Sequence, residues 1–330
     1  PFALVGCQLS YDIPELIPEL LIHIGEVTGD YYVYKAMGRQ VWRVSQDGEI
    51  RDTFRKLRYV FEMPEHSFFQ YYVAEADASR DAYYLQCKEV VESFRQKIPE
   101  LPLSNPWIAS KTASRIPASA TVHFGILNSL RSWNFFDLPE SVRSASNVGG
   151  FGIDGGLSSL VGASLNDPEK LFFCVIGDLA FFYDMNSIGN RHVGNNIRIL
   201  LVNNGKGTEF RHSSHPAGHL GEAADQFVAA DGHFGRKSFK LVKHYAEDLG
   251  FEYLQADSKE SYLVAVERLL TPEVTERPML LEVFTDSDDE SESLQTIMCL
   301  EQSIKGKTKN LAKQMLGKKN VDVLKKVIRR

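Results

Sequence analysis

Residues 176–210 read IGDLAFFYDMNSIGNRHVGNNIRILLVNNGKGTEF. An apolar run from Leu171 to Ile176 stops at Gly177-Asp178, and a second from Ile197 to Val202 stops at Asn203-Asn204-Gly205. Both runs are short and mostly aliphatic, as expected of strands buried on both faces of a parallel sheet. The segment between them, Tyr183 to His192, is long enough for one short crossover helix. Asp178 and Asn204 are therefore expected at the carboxyl ends of two parallel strands, the edge at which open α/β sheets bind ligands.

The residue types there have a specific chemistry. A carboxylate and an amide oxygen are hard donors of the kind Mg²⁺ prefers. Two such donors leave positions for water and for substrate phosphates. Gly177, Gly205 and Gly207 let backbone approach a phosphate closely. A diphosphate carried on Mg²⁺ is the expected ligand. An ordinary βαβ unit with an Asp at one turn and Asn-Gly at the other is the plainer alternative.

Upstream, TVHFGILNSL reads as a strand ending in Asn128-Ser129. The following SVRSASNVGGFGIDGGLSSLVGASL opens a glycine-rich turn, with glycines at 149, 150, 152, 155 and 156, into a helix with small residues on one face. A helix N-terminus favours anions. A glycine-rich turn is also what close helix–sheet packing requires, so by itself it is weak evidence.

Gly-Asp, an interval, then Asn-Asn resembles the signature of thiamine diphosphate-dependent enzymes of the acetolactate synthase and pyruvate decarboxylase superfamily. Within it, Gly177-Asp178-Leu179, Asp184-Met185-Asn186 and Gly152-Ile153-Asp154-Gly155 resemble the menaquinone-pathway 2-succinyl-5-enolpyruvyl-6-hydroxy-3-cyclohexene-1-carboxylate synthase family. The resemblance runs through most of residues 20 to 300. It implies a thiamine diphosphate- and Mg²⁺-dependent carboligase that decarboxylates a 2-oxo acid, 2-oxoglutarate joined to isochorismate in that family.

By the same resemblance, Asp178, the Asn204 side chain and the Lys206 carbonyl are the metal ligands, although the family usually has Gly at the position of Lys206. Asn128, Ser129, Gly152, Gly177, Leu179 and Ala180 fall among the cofactor-binding positions, with Ile153 as the apolar prop that bends the cofactor. Glu209 and Phe210 are candidates to face the substrate, in a loop that reads as a lid. The family carries Arg four residues beyond the Asn-Ser serine and again just before the GIDG turn. Here those positions hold Trp133 and Val148, with Arg131 shifted nearby. Loss of two guanidinium groups removes bidentate carboxylate recognition. A different acceptor, such as a polysaccharide precursor, and a non-catalytic α/β module are the alternatives.

The superfamily's activating Glu belongs to a separate pyrimidine-binding domain that nothing here resembles. The chain alone is thus expected to be catalytically silent, completed within a homodimer or tetramer or by a partner chain. The first elements, PFALVG read as a strand and LLIHIG as another, follow each other too closely for the family's middle domain. Missing sequence, or a natural shortening, is expected there. The expected organisation is α/β throughout: a partial middle domain over 1–102, a parallel-sheet diphosphate domain with helices on both faces over 103–300, and a helical tail over 301–330. Four prolines between Pro99 and Pro117 mark the first border.

With 330 residues and 43% apolar content, the chain can hold two compact domains. The net charge of −6 does not suggest nucleic acid. No apolar run approaches the ~18 residues of a membrane span. Cys7, Cys87, Cys174 and Cys299 are scattered, a reduced cytoplasmic pattern, and the start lacks a basic leader. His212, His215 and His219 lie in a loop broken by Pro216 and Gly218, which does not suit a zinc cluster. The acidic DSDDESES after Thr285 reads as a solvated loop capping the next helix. From Lys305 to Arg330, ten Lys and Arg stand against one acid, Asp322, in what reads as an amphipathic helix packing on a neighbour.

Overall fold

The computed structural model describes residues 2–8, 16–24, 38–73, 81–148, 152–211, 215, 217–224 and 238–301. The basic segment from Lys305, Gly149 and Gly150 of the glycine turn, and His212 lie outside the described residues. The chain divides into two compact units. Of the described residues, one comprises Pro99–Gln295 and the other 2–24, 38–98 and 296–301.

The larger unit is built on a six-stranded parallel sheet. Its strands are β4 (Thr121–Phe124), β5 (Arg143–Ser146), β6 (Phe172–Gly177), β7 (Ile197–Asn203), β8 (Glu252–Ala256) and β9 (Met279–Phe284), in the order β5-β4-β6-β7-β9-β8. Every side chain of β7, and all but the last of β6 and β9, is buried. Because successive side chains point to opposite faces, both faces of the central strands are covered. The first, Leu157, Phe172, Ile176, Phe181, Ile199 and Leu280 among others, packs into one hydrophobic cluster. Arg198 is the one charge inside the β7 run. It is fully buried, and its guanidinium donates to the carbonyls of Asn195, Ile197 and Glu273 and to Thr275 Oγ1. Four acceptors offset the cost of burying the charge.

The chain order reverses beside β4: β5 lies on one side of it and β6 on the other. Such a switch point opens a crevice outside the carboxyl ends of the strands. Local sequence sets the surrounding helices. Helix Asn105–Thr112 starts at Ser104, whose Oγ accepts from Trp107 N at 3.4 Å, with Pro106 in its first turn. Helix Lys259–Leu269 is held by a capping box between Ser258 and Ser261.

The smaller unit carries a three-stranded parallel sheet, β1 (Leu20–Ile24), β2 (Gln40–Ser45) and β3 (Leu57–Glu62), with helices Glu65–Val73 and Ala82–Arg95. In the larger unit parallel strands alternate with helices, which is the α/β class; in the smaller one the two described helices follow the three parallel strands.

Four local expectations are corrected. PFALVG is not a strand: Ala3–Gly6 forms one helical turn with Leu4, Val5 and Gly6 buried. The strand from Thr121 ends at Phe124, and Asn128-Ser129 instead begin helix α5, Asn128–Trp133. The crossover helix starts at Asp178 itself and runs to Asp184, followed by a 3-10 turn, Met185–Gly189. Lastly, DSDDESES is no solvated loop. It is the first half of helix Ser287–Met298, and Glu290 within it is completely buried.

Candidate functional site

A cleft lies at the carboxyl edge of the large sheet, at its switch point. It is lined by the segments after β4 (Ile126 to Ser129), after β6 (Gly177 to Ala180) and after β7 (Asn204 to Phe210). Of the residues expected from sequence, Asn128, Ser129, Ile153, Gly177, Asp178, Leu179, Ala180, Asn204, Lys206, Glu209 and Phe210 all line it. Residues up to 82 positions apart meet because three neighbouring strands deliver their ends to one edge.

Asp178 is only 2% exposed. The backbone N–H groups of Leu179 and Gly205 lie near its carboxylate and favour its ionised form, while its Oδ2 has no hydrogen-bond partner. Burial pushes the carboxyl up to about 7, against the pull of those N–H groups, and the nearby Glu290 carboxylate adds to the rise. A buried carboxylate oxygen without a donor is costly. A cation beside it would remove that cost.

The loop after β7 uses its two asparagines differently. Asn203 is still in the strand and buried. Its Nδ2 donates to Glu282 Oε1 at 2.7 Å, and its Oδ1 accepts Gly205 N at 3.1 Å. Asn204, one residue on, faces the cleft. Its Oδ1 accepts Lys206 N at 2.9 Å and its Nδ2 donates to Thr208 Oγ1 at 2.6 Å. Gly205 holds φ +71°, a conformation that favours glycine. One lone pair of Asn204 Oδ1 remains for a ligand. Beyond this turn, Glu209 pairs with Arg131 of α5, Oε2 to Nη1 at 2.7 Å, with the side chains 21% and 10% exposed. The Phe210 ring meets His215 edge-on at 5.2 Å.

On the opposite wall, Leu127 has φ 66° and ψ −117°. A branched side chain rarely adopts that backbone, and the turn delivers Asn128 and Ser129 to the cleft. Both are held from behind. Asn128 Nδ2 donates to Glu290 Oε2 at 3.2 Å, and Ser129 Oγ accepts from Asn105 Nδ2 at 3.4 Å. Glu290 Oε1 also accepts from Asn105 N at 3.0 Å and Thr285 Oγ1 at 2.9 Å. Burial raises the Glu290 carboxyl to about 7 despite these donors. Sequence reasoning missed Glu290. The only signal available was helical spacing from Ser287 through Leu294 to Met298, which places one acid of the run on the inward side.

The glycine turn supports the third wall. Gly155 has φ +78°, and its carbonyl accepts Asn147 Nδ2 at 2.9 Å. The helix that follows, Gly156–Ser164, is capped from outside by Asp184. That carboxylate accepts Ser158 N at 2.8 Å and Ser158 Oγ at 2.8 Å, a favourable place for a negative charge. Asp184 thus ties the D-x-N segment to the turn that presents Ile153, whose side chain packs against the hydrophobic cluster. Gly152 belongs to that turn but does not line the cleft.

Over 289 residues, 85% of this chain and 49% of the relative, the sequence is 32% identical to the 2-succinyl-5-enolpyruvyl-6-hydroxy-3-cyclohexene-1-carboxylate synthase of Bacteroides fragilis. The enzyme of the same name from Phocaeicola vulgatus is 31% identical over 281 residues, 84% of this chain and 48% of the relative. That of Flavobacterium johnsoniae is 25% identical over 287 residues, 83% of this chain and 49% of the relative. The chain is homologous to these carboxylate synthases. It spans about half the length of the curated relatives it matches. No family model matches it.

Trp133 and Val148, which the resemblance places at the substrate, lie outside the cleft. Trp133 is 3% exposed, its indole N–H donates to Asn105 Oδ1 at 3.0 Å, and its ring packs on Phe124. Trp133 and Val148 both line a second, largely apolar groove with Phe124, Leu130, Phe136 and Val142. Among the described residues, no group of three or more His, Cys, Asp or Glu side chains could hold a metal. The cleft itself offers two carboxylates, Asp178 and the Arg131-paired Glu209, with amide and carbonyl oxygens as its other possible donors, an oxygen set suited to Mg²⁺ more than to zinc. No helix among the described residues is long and apolar enough to cross a membrane.

Proposed function

We propose that this chain carries the diphosphate- and metal-binding part of a thiamine diphosphate- and Mg²⁺-dependent carboligase that decarboxylates a 2-oxo acid. One observation carries the reading. The unpartnered Oδ2 of buried Asp178 sits at a strand's carboxyl end, in a cleft shared with Asn204. The homology to the carboxylate synthases supports the same reaction class.

In this reading Asp178, the Asn204 amide oxygen and the Lys206 carbonyl hold Mg²⁺. Thiamine diphosphate supplies the electron sink that lets a 2-oxo acid lose CO₂. The chain's own residues bind and orient. The Gly177 and Gly205 backbones give the diphosphate room, Ile153 presents an apolar side chain to the cofactor body, and the covered sheet keeps water from Asp178. The Arg131–Glu209 pair stands at the cleft with a guanidinium suited to a carboxylate. In this reading the activating Glu and the remaining wall of the active site are supplied by a pyrimidine-binding domain, of the same protein or of a partner.

Trp133 and Val148 favour a second reading of the acceptor. They stand where the resemblance expects guanidinium groups that would clamp a dianion, so an acceptor other than isochorismate is the alternative.

The test is thiamine diphosphate binding by fluorescence quenching, with and without Mg²⁺. Binding should require Mg²⁺ and should vanish in Asp178→Ala. Undiminished binding by that variant would remove the site assignment.

A further inference from the structure

Asn128 lines the cleft with its carboxamide held from behind. The group facing it is Glu290 Oε2 at 3.2 Å. Above about pH 7, where Glu290 is ionised, its carboxylate only accepts hydrogen bonds, so the Asn128 atom turned to it is the amide nitrogen. The amide oxygen is therefore turned away from Glu290, and Asn128 Oδ1 is buried without a partner. The second unpartnered oxygen lining the same cleft is Asp178 Oδ2.

Glu290 has no freedom to do otherwise. It is completely buried, and its other oxygen is occupied by Asn105 N and Thr285 Oγ1. Its place is fixed by helix Ser287–Met298, and Asn105 is fixed in turn by Trp133 Nε1 and Ser129 Oγ.

We propose that Glu290 is a positioning residue that locks the Asn128 carboxamide with its oxygen toward the cleft. The cleft then presents acceptors from two walls and selects a ligand that arrives with a cation. Phosphate oxygens alone are acceptors and gain nothing from Asn128 Oδ1. A hydrated Mg²⁺ keeps several waters, whose hydrogens that oxygen can accept. The inference rests on the metal–diphosphate reading of this cleft. It changes the role expected for Asn128, from contact with the diphosphate to contact with the hydration shell of the metal.

The experiment measures pyrophosphate binding to the chain by calorimetry, with Mg²⁺ and with EDTA. In Glu290→Gln, the side-chain oxygen keeps Asn105 N and Thr285 Oγ1, and its amide group meets Asn128. The Asn128 carboxamide then turns over and offers a donor to the cleft. Pyrophosphate with Mg²⁺ should bind about tenfold more weakly, while metal-free pyrophosphate should bind no more weakly than to wild type. Adding Asn128→Asp to Glu290→Gln returns an oxygen to both sides and should restore the Mg²⁺ dependence. A merely structural defect would weaken both ligands alike and would not be rescued.

Equal losses with and without Mg²⁺, or no loss, would overturn the proposal. Failure of the wild-type chain to bind Mg²⁺-pyrophosphate would instead remove the metal–diphosphate reading, and the proposal with it. Should Glu290→Gln not fold, NMR of the wild-type chain decides. The Asn128 side-chain N–H signals should exchange slowly and stay unmoved by metal-free pyrophosphate. Signals shifted by that anion would overturn the assignment.

Discussion

The backbone N–H of Gly205, just past β7, lies near the carboxylate of Asp178, just past β6, and favours its ionised form. The ends of the two neighbouring strands thus meet at the cleft. The Oδ2 of Asp178 is buried and unsatisfied. Asp178 therefore destabilises the ligand-free fold while providing the charge a cation needs.

Asp178→Asn should separate these two effects. Its amide oxygen can still face the N–H groups of Leu179 and Gly205, and the buried charge is gone. We expect the metal-free protein to gain about 1–3 kcal/mol at pH 8, and Mg²⁺ with pyrophosphate to stop raising the melting temperature. Urea melts with and without the ligand check both. A variant less stable than wild type without metal would contradict the account.

The pH dependence follows from the same burial. Asp178 and Glu290 are each raised to about 7 from ordinary values near 4. The folded state therefore holds protons that the unfolded chain has already released. Stability should fall as pH rises from about 4 to 7 and then level off, on the order of a few kcal/mol for the coupled pair. Mg²⁺ with pyrophosphate should flatten the slope, because a cation favours the ionised Asp178. Denaturant midpoints across pH 4–9 measure it.

Arg131 and Glu209 form a mostly buried pair at the cleft. Glu209→Ala should cost about 1–2 kcal/mol, more than an exposed pair, because it leaves the guanidinium without its carboxylate. A double-mutant cycle with Arg131→Ala should return a coupling of about 1 kcal/mol. A coupling near zero would mean that the pair does not hold the loop after β7.

Asp184→Ala removes the acceptor for Ser158 N and Oγ at the start of helix Gly156–Ser164. We expect a loss of about 2 kcal/mol and weaker binding of thiamine diphosphate than of pyrophosphate alone, since Ile153 rather than the diphosphate loops is displaced. Paired binding isotherms show the difference.

Gly155→Ala should cost about 1 kcal/mol or more. The residue sits at φ +78°, and a Cβ there would stand 3.3 Å from Asn147 Nδ2. A thermal melt unchanged from wild type would show that the turn relaxes.

The sequence by itself determined the sheet and most of its binding edge. Aliphatic runs of strand length, each ending in Gly-Asp or Asn-Asn-Gly, have little choice but buried parallel strands with polar residues at their carboxyl ends. Asp178, Asn204, Asn128 and Ile153 were legible because strand ends and turns are local features. Only the tertiary structure decided which residues stand behind them. Glu290 sits in a run of acids that reads as solvated, and no local pattern says that its helix turns this one carboxylate under Asn128, 162 positions away in the chain. Trp133 and Val148 were expected to face substrate from sequence position, but one turn of helix α5 carries Trp133 into packing against Phe124 and Asn105. Strand order, which brings β4 beside β6 and creates the cleft, is likewise a long-range outcome. Propensity and spacing act over a few residues, whereas the partner of a buried charge is set by whichever element packs across it.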